Sequence, residues 1–224
     1  MDKYILVFGL FFSSFLALGQ ENRMSFGLAG SVDKYNFDFQ PFAGINQKQT
    51  NDLSYSFGLR FQYGLNDKML LRSGVFYSEK GYKTDYLWGP LVDPGDPYLP
   101  VESNLKLYYL NVPIMIGYNI INKAKFKLAP STGIISEFLI GNTETSVFGD
   151  NSERASAFLN ENLSAVLLSA QVNIGFEYHF ARNAFLIFEP YMRYGFNKID
   201  GRVMSSKPMS YGVSLSMNYK GIFR

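Results

Sequence analysis

The sequence predicts an all-β fold: an eight-stranded antiparallel up-and-down β-barrel that crosses a membrane. Three observations support it: long stretches alternate apolar with small or polar residues, long and short connections alternate between these stretches, and charged residues are few. Of 224 residues, 47% are hydrophobic, 17% aromatic and only 18% charged. This composition excludes intrinsic disorder, because disordered chains are rich in charge and poor in aromatics.

The N-terminus predicts export. A positively charged start is followed by residues 4–18, all of them apolar or small, as is typical of a secretory signal peptide. Ala17 and Gly19 place small side chains at the two positions that a signal peptidase reads. We therefore expect a signal peptide at residues 1–19 and a single barrel domain at residues 20–224. An uncleaved helical anchor is the alternative.

Three segments carry the clearest strand pattern. Apolar side chains occupy alternate positions from Leu53 to Leu65, from Val166 to Phe180 and from Met209 to Tyr219, and the positions between them are mostly small or polar. Because alternate residues of a strand point to opposite faces, each segment is predicted to be a strand with one apolar face.

Weaker alternation predicts the other strands. Pro113 and Pro190 fall inside two of them, and proline lacks the N–H that a β-ladder needs, so we expect a bulge or a strand end at each. These strands are predicted at residues 24–32, 69–79, 106–120, 126–140 and 184–196.

The connections alternate in length along the chain, as in barrels that have long external loops and short periplasmic turns. The predicted long loops are residues 33–52, 80–105, 141–165 and 197–208, and the predicted short turns are residues 66–68, 121–125 and 181–183.

Composition indicates which face points outward. A soluble barrel with an apolar interior is the alternative, and its outer face would be rich in Lys and Glu. Here the polar positions are mostly Ser, Gly, Asn and Gln, which fit inside an eight-stranded barrel because its interior is only wide enough for side chains. The apolar faces lack charges and carry aromatics near their ends, as lipid-facing surfaces do. We therefore predict an outer-membrane location in contact with outer-membrane lipid.

Several charged residues lie on the polar faces, where opposite charges would pair and plug a narrow lumen. The alternative is an ion or substrate pathway. The predicted lumen network comprises Arg60, Arg72, Glu177, Glu189 and Arg193, and Lys106 and Lys220 are assigned to the same face.

Enzymatic function is not favoured, so no catalytic residue is assigned. The single imidazole, His179, is predicted near the periplasmic rim, whereas an enzyme acting on the outer leaflet needs its base at the external rim. The absence of Cys excludes thiolate chemistry and Cys-ligated metals, and no motif indicates a cofactor or a metal. A net charge of +2 argues against nucleic-acid binding.

The second long loop is rich in turn residues and aromatics, as loops that bind partners often are. Trp88, Asp93, Asp96 and Tyr98 are candidate contacts for an envelope protein partner. A loop that merely folds over the barrel is the alternative. The two aspartates alone are a weak calcium signal, because calcium needs a fuller set of oxygen ligands.

The chain resembles the PorT-like outer-membrane β-barrel proteins found mainly in Bacteroidota. The resemblance is carried by residues 73–81, Tyr109–Pro113, the pair at 190–191 and residues 193–195; Asn111 stands where an acidic residue is more usual. It implies a small closed barrel. We expect this barrel to have a structural or interaction role through its external loops. Because the founding member is linked to type IX secretion, the resemblance also implies an alternative, an accessory component of a protein-export machine. An outer-leaflet lipid-modifying enzyme is a third hypothesis.

Overall fold

The fold is described from a computed structural model that covers residues 23–36, 46–87, 96, 98–156, 163–198 and 207–220. The expected signal peptide lies outside the described residues. No helix within these ranges is long and apolar enough to span a membrane.

The described residues form one antiparallel sheet of eleven strands. The strands are β1 (Met24–Asn36), β2 (Asn46–Asn51), β3 (Leu53–Gly64), β4 (Met69–Leu87), β5 (Pro100–Tyr118), β6 (Ile121–Asn122), β7 (Phe126–Phe148), β8 (Glu153–Ser156), β9 (Val166–His179), β10 (Ala184–Gly195) and β11 (Met209–Lys220).

Eight of these strands close into a ring. The order is β1, β3, β4, β5, β7, β9, β10 and β11, and β11 pairs with β1 to complete the barrel. Each of the eight coincides with a predicted strand, so the eight-stranded antiparallel barrel is confirmed. The short turns join β3 to β4, β5 to β7 and β9 to β10, which by analogy with membrane barrels marks the periplasmic end.

Three ring strands are much longer than predicted. β4 continues to Leu87, β5 begins at Pro100 and β7 continues to Phe148, so parts of the predicted loops 80–105 and 141–165 are strands. These extensions carry polar residues on both faces, which leaves no apolar alternation for a sequence pattern to detect.

The expectation of a bulge or strand end at Pro113 and Pro190 is wrong. Near Pro113, the pairing of β4 with β5 is interrupted between Ser73–Ile114 and Phe76–Asn111 and then resumes in the same register. The pairing of β9 with β10 is interrupted at Pro190 in the same way. Each strand therefore tolerates one missing donor without an inserted residue.

The two faces of the ring differ sharply. Large apolar side chains point outward and stay exposed, such as Leu28 at 68%, Phe57 at 65% and Leu215 at 57%. The inward positions carry buried polar side chains, including Ser216, Asn218 and Glu189 at 1% each. This distribution confirms the predicted orientation, with the apolar face outside and the polar face in the lumen.

Candidate functional site: the lumen and the external sheet

The middle of the lumen holds a carboxylate shared by two guanidinium groups. Glu189 of β10 pairs with Arg60 of β3 and with Arg72 of β4, and Arg72 Nη1 lies 2.6 Å from Glu189 Oε1. The side chains of Arg72 and Glu189 are 4% and 1% exposed. Gly175 makes room for this cluster, because a Cβ there would lie 2.9 Å from Arg72 Nη1. The three charges therefore hold strands from opposite walls together.

A second ionic cluster lies toward the external end. Glu137 of β7 pairs with Lys80 and with Arg193, whose Nη1 is 2.6 Å from Glu137 Oε1. Arg193 Nε and Nη2 each donate to Gln171 Oε1 at 3.1 Å. Arg193 Nη1 also donates to Tyr35 Oη at 2.7 Å, so three acceptors on different strands fix the guanidinium group.

Apolar side chains close the lumen above this cluster. Lys80 Nζ lies 4.5 Å from the centre of the Tyr35 ring and 4.8 Å from that of Tyr109, which favours a desolvated cation. The rings belong to a buried hydrophobic cluster made of Tyr35, Leu107, Tyr109, Leu163 and Leu167.

A third ionic cluster lies at the periplasmic end. Glu177 Oε1 lies 2.6 Å from His179 Nε2 and 3.3 Å from Lys127 Nζ. Gln62 connects it to the middle cluster, since Gln62 Nε2 donates to Glu177 at 3.4 Å and Gln62 Oε1 accepts from Arg72 Nε at 2.9 Å. The polar contacts therefore run from the periplasmic end to the middle of the barrel.

Most of the enclosed charges are paired, and little space remains between them. Glu189 pairs with Arg60 and Arg72, Glu137 pairs with Lys80 and Arg193, and Glu177 pairs with Lys127. The mid-lumen cavity has a volume of about 60 Å³. A space of this size holds only a few water molecules and is no porin-type channel.

Of the predicted network, Arg60, Arg72 and Glu189 meet directly. Glu177 reaches them through Gln62, and Arg193 instead joins Glu137. The assignment of Lys106 to the lumen is wrong: Lys106 is exposed and its Nζ lies 2.8 Å from Glu79 Oε1.

The outward position of Lys106 follows from its strand. Even-numbered residues of β5 point outward, as the exposed Leu110, Ile114 and Ile116 show. Lys220 is half-buried at the periplasmic rim, with its Nζ 5.9 Å from the centre of the Phe185 ring.

Sequence reasoning missed Lys80 and Glu137. Lys80 falls at the start of a predicted loop, and Glu137 lies where β7 is apolar on both faces, with Ile134 exposed and Ile135 buried. A signal for Glu137 exists: it has the same parity as Ser131, which also points inward.

His179 is predicted to tolerate substitution. Glu177 keeps Lys127 and Gln62 as partners when the imidazole is removed. We therefore expect His179→Gln to fold and to lower the free energy of unfolding by about 1 kcal/mol, the value of one hydrogen bond. Urea unfolding in lipid vesicles measures this difference. Failure of His179→Gln to fold would show that the imidazole is essential to the periplasmic cluster.

Beyond the external mouth, the extended strands form a separate surface, which we call the external sheet. Its order is β2, β4, β5, β7 and β8. Lys83 of β4 forms an ion pair with Glu102 of β5, in which Lys83 Nζ lies 2.6 Å from Glu102 Oε2. In the turn before β8, hydrogen bonds from Ser152 lower the pKa of the Asp150 carboxyl.

Two of the four predicted loop contacts, Asp96 and Tyr98, lie at the tip of this sheet, just before β5 begins. Trp88 and Asp93 are outside the described residues. Asp96 Oδ1 accepts a hydrogen bond from the Tyr98 N–H at 2.8 Å, and Tyr98 is 79% exposed. The described part of the tip therefore presents one aromatic ring to solvent beside a tight turn.

The described residues contain no group of three or more His, Cys, Asp or Glu that could hold a metal ion. Glu177 and His179 contact each other, but the other side chains that contact Glu177 are Lys127 and Gln62, which are not metal ligands in this arrangement.

Several outer-membrane proteins of solved structure are similar to this chain. OprG from Pseudomonas aeruginosa is 13% identical, with 91% of this chain and 99% of that chain covered and a TM-score of 0.51. Neisserial surface protein A is 14% identical, with coverage of 88% and 97% and a TM-score of 0.45. Ail, the attachment invasion locus protein of Yersinia pestis, is 13% identical, with coverage of 89% and 100% and a TM-score of 0.38. At 13% identity, the likeness to OprG concerns the fold alone.

No curated protein matches the chain. The family model described as outer membrane protein beta-barrel domain matches residues 16–201, which is most of the sequence. Together with the outward apolar face, this match indicates the outer membrane as the location. The chain belongs to the outer membrane protein beta-barrel domain family.

Proposed function

We propose that this protein is a sealed outer-membrane barrel that acts through its external sheet as an interaction protein. The observation that carries the proposal is the length of three strands. A membrane-spanning strand needs about 9–11 residues. β4 and β5 have 19 residues each and β7 has 23, so their external ends extend well beyond a bilayer.

The size of the external sheet suits a binding role. From Lys83 to Leu87, at roughly 3.3 Å per residue, β4 alone extends about 15 Å beyond the barrel. Neighbouring strands support it on both sides, β2 through pairs such as Asn46–Leu87 and β5 through pairs such as Asp85–Glu102. A supported sheet costs less entropy on binding than a flexible loop does, which favours recognition.

The lumen offers no competing role among the described residues. Its cations Arg60, Arg72, Lys80 and Arg193 are paired with carboxylates. Its external mouth is closed by the cluster around Tyr109, and the imidazole of His179 is hydrogen-bonded to Glu177. The proposed role is therefore non-enzymatic, and no cofactor is assigned.

We propose Trp88, Asp93, Asp96 and Tyr98 as contacts with an envelope protein partner. Tyr98 supports this choice, because exposed aromatic rings are common at the centres of protein interfaces.

A site-specific crosslinking experiment tests the proposal. A photo-reactive amino acid replaces Tyr98 at the tip of the external sheet, and the matched control carries it in place of Lys68 in the periplasmic β3–β4 turn. Irradiation of intact cells is expected to give a discrete adduct from position 98 alone. Identification of the adduct shows whether the partner belongs to a protein-export machine. No adduct at position 98, or the same adduct from both positions, would contradict the role of the external sheet.

A further inference from the structure

Cationic side chains converge on one cleft at the periplasmic end of the barrel. The cleft has a volume of about 580 Å³ and opens between the turn before β7, the β9–β10 turn and the end of β11. Its cations, which we call the periplasmic cation cluster, are Lys123, Lys125, Lys127, Arg182 and Lys220.

The order of the strands in the barrel brings these residues together. β7, β9, β10 and β11 are consecutive in the ring, so their periplasmic ends are adjacent. Backbone hydrogen bonds fix the neighbouring ends: His179 N–H donates to Lys125 O at 2.9 Å, and Lys220 N–H donates to Asn183 O at 2.8 Å. The backbone of the cleft is therefore preformed.

The periplasmic cation cluster is poorly neutralised. The carboxylate in contact with it is Glu177, which is 2% exposed and is shared between Lys127 and His179. Lys123, Lys125 and Arg182 are exposed and form no ion pair within the described part of the chain. Of the five cations, only Lys127 has a carboxylate partner within the described residues, and that carboxylate also contacts Gln62 of the lumen. Like charges held this closely repel one another unless an anion binds between them.

The position of the cleft indicates the kind of anion. Phe180 lines the cleft and is 48% exposed, and Tyr178 and Phe126 lie on the outward face of the adjoining strands at 52% and 37%. Outward aromatic side chains at strand ends lie at the level of lipid headgroups. The cleft therefore opens where the phosphates of the periplasmic leaflet are found.

We propose that the periplasmic cation cluster binds the headgroup phosphate of an anionic phospholipid in the periplasmic leaflet. Lys and Arg side chains donate several charge-assisted hydrogen bonds to a phosphate. Phe180 provides an apolar surface beside them for the first part of the acyl chains. This binding site is separate from the external sheet, so either proposal can fail without the other.

Competitive lipid binding tests the proposal. The full-length chain, purified in a zwitterionic detergent, receives equal amounts of phosphatidylglycerol and phosphatidylcholine with matched acyl chains, and native mass spectrometry counts the bound lipids. We expect at least about tenfold preference for phosphatidylglycerol, since several cations act on one phosphate. The variant Lys123→Ala/Lys125→Ala/Arg182→Ala is expected to lose this preference.

A matched control separates local binding from net charge. The variant Lys48→Ala/Lys83→Ala/Arg154→Ala removes as many cations from the external sheet and is expected to keep the preference. Heat-modifiable mobility on gels shows that both variants are folded. Equal binding of the two lipids by the unmodified chain would overturn the proposal, as would equal losses in the two variants. Complete displacement of the lipid by inorganic phosphate would overturn the assignment to a lipid headgroup.

Discussion

Replacing Glu189 by leucine is expected to lower the free energy of unfolding by about 3–5 kcal/mol, because two buried guanidinium groups then lack their shared counter-ion. Glu189 is the only carboxylate that contacts Arg60 and Arg72 among the described ion pairs. Urea titration in lipid vesicles, with folded and unfolded chains separated by gel mobility, measures the change.

Two controls define the cause of the Glu189 effect. Glu79→Gln breaks an exposed ion pair with Lys106 and is expected to change the free energy of unfolding by less than about 0.5 kcal/mol. The combination Arg60→Met/Arg72→Met/Glu189→Leu removes every charge of the cluster and is expected to return to within about 1 kcal/mol of the original stability. If Glu189→Leu is as stable as Glu79→Gln, the buried cluster does not hold the barrel together.

An arginine in place of Leu215 is expected to lower the free energy of unfolding by about 2–4 kcal/mol, the cost of a cation at mid-membrane on a lipid-facing strand. Leu215 lies near the middle of β11, pairs with Gly30 and Phe188, and is 57% exposed on the outward face. The same urea titration in vesicles gives the value.

The matched control for Leu215 lies on the same face of the same strand. Tyr219 is near the periplasmic end of β11 and is 54% exposed, so Tyr219→Arg is expected to cost only about 0–1 kcal/mol at the membrane interface. Equal costs at the two positions would contradict the burial of this face in lipid.

The ring strands are predictable from sequence because lipid outside and polar side chains inside impose a strict period of two. β9 shows this clearly: Val172 and Ile174 are exposed, while the intervening Asn173 is buried. The same argument places Glu177 and Glu189 inside the barrel. The alternation identifies the inward face of a strand, but it does not show which charged side chains on that face form ion pairs.

The pairing of charges depends on strand register, which the pattern does not contain. Arg193 contacts Glu137 on β7, two places away around the ring, and not Glu189 on its own strand. The register shift at Tyr108 and Tyr109 leaves Ile140 of β7 unpaired, so inward positions change parity from Glu137 to Asn142. Beyond a single bulge of this kind, a rule of alternation assigns side chains to the wrong face of the strand.

The external sheet is unpredictable for a different reason. Water, not lipid, surrounds its strands on both sides, so no apolar period is required. Lys83, Asp85 and Glu102 fall in a stretch that the sequence assigns to a loop, yet they lie on paired strands joined by ion pairs. Backbone pairing to the long barrel strands below holds this sheet in place.

The lumen is closed along its length, and electrical recording in a planar lipid bilayer tests this closure most directly. The refolded full-length chain is expected to insert without discrete conductance steps, because the clusters around Glu137, Glu189 and Glu177 fill the barrel and the Tyr109 cluster seals its external mouth. Stable conductance steps of uniform size, proportional to the salt concentration, would show a continuous aqueous path and contradict the sealed barrel.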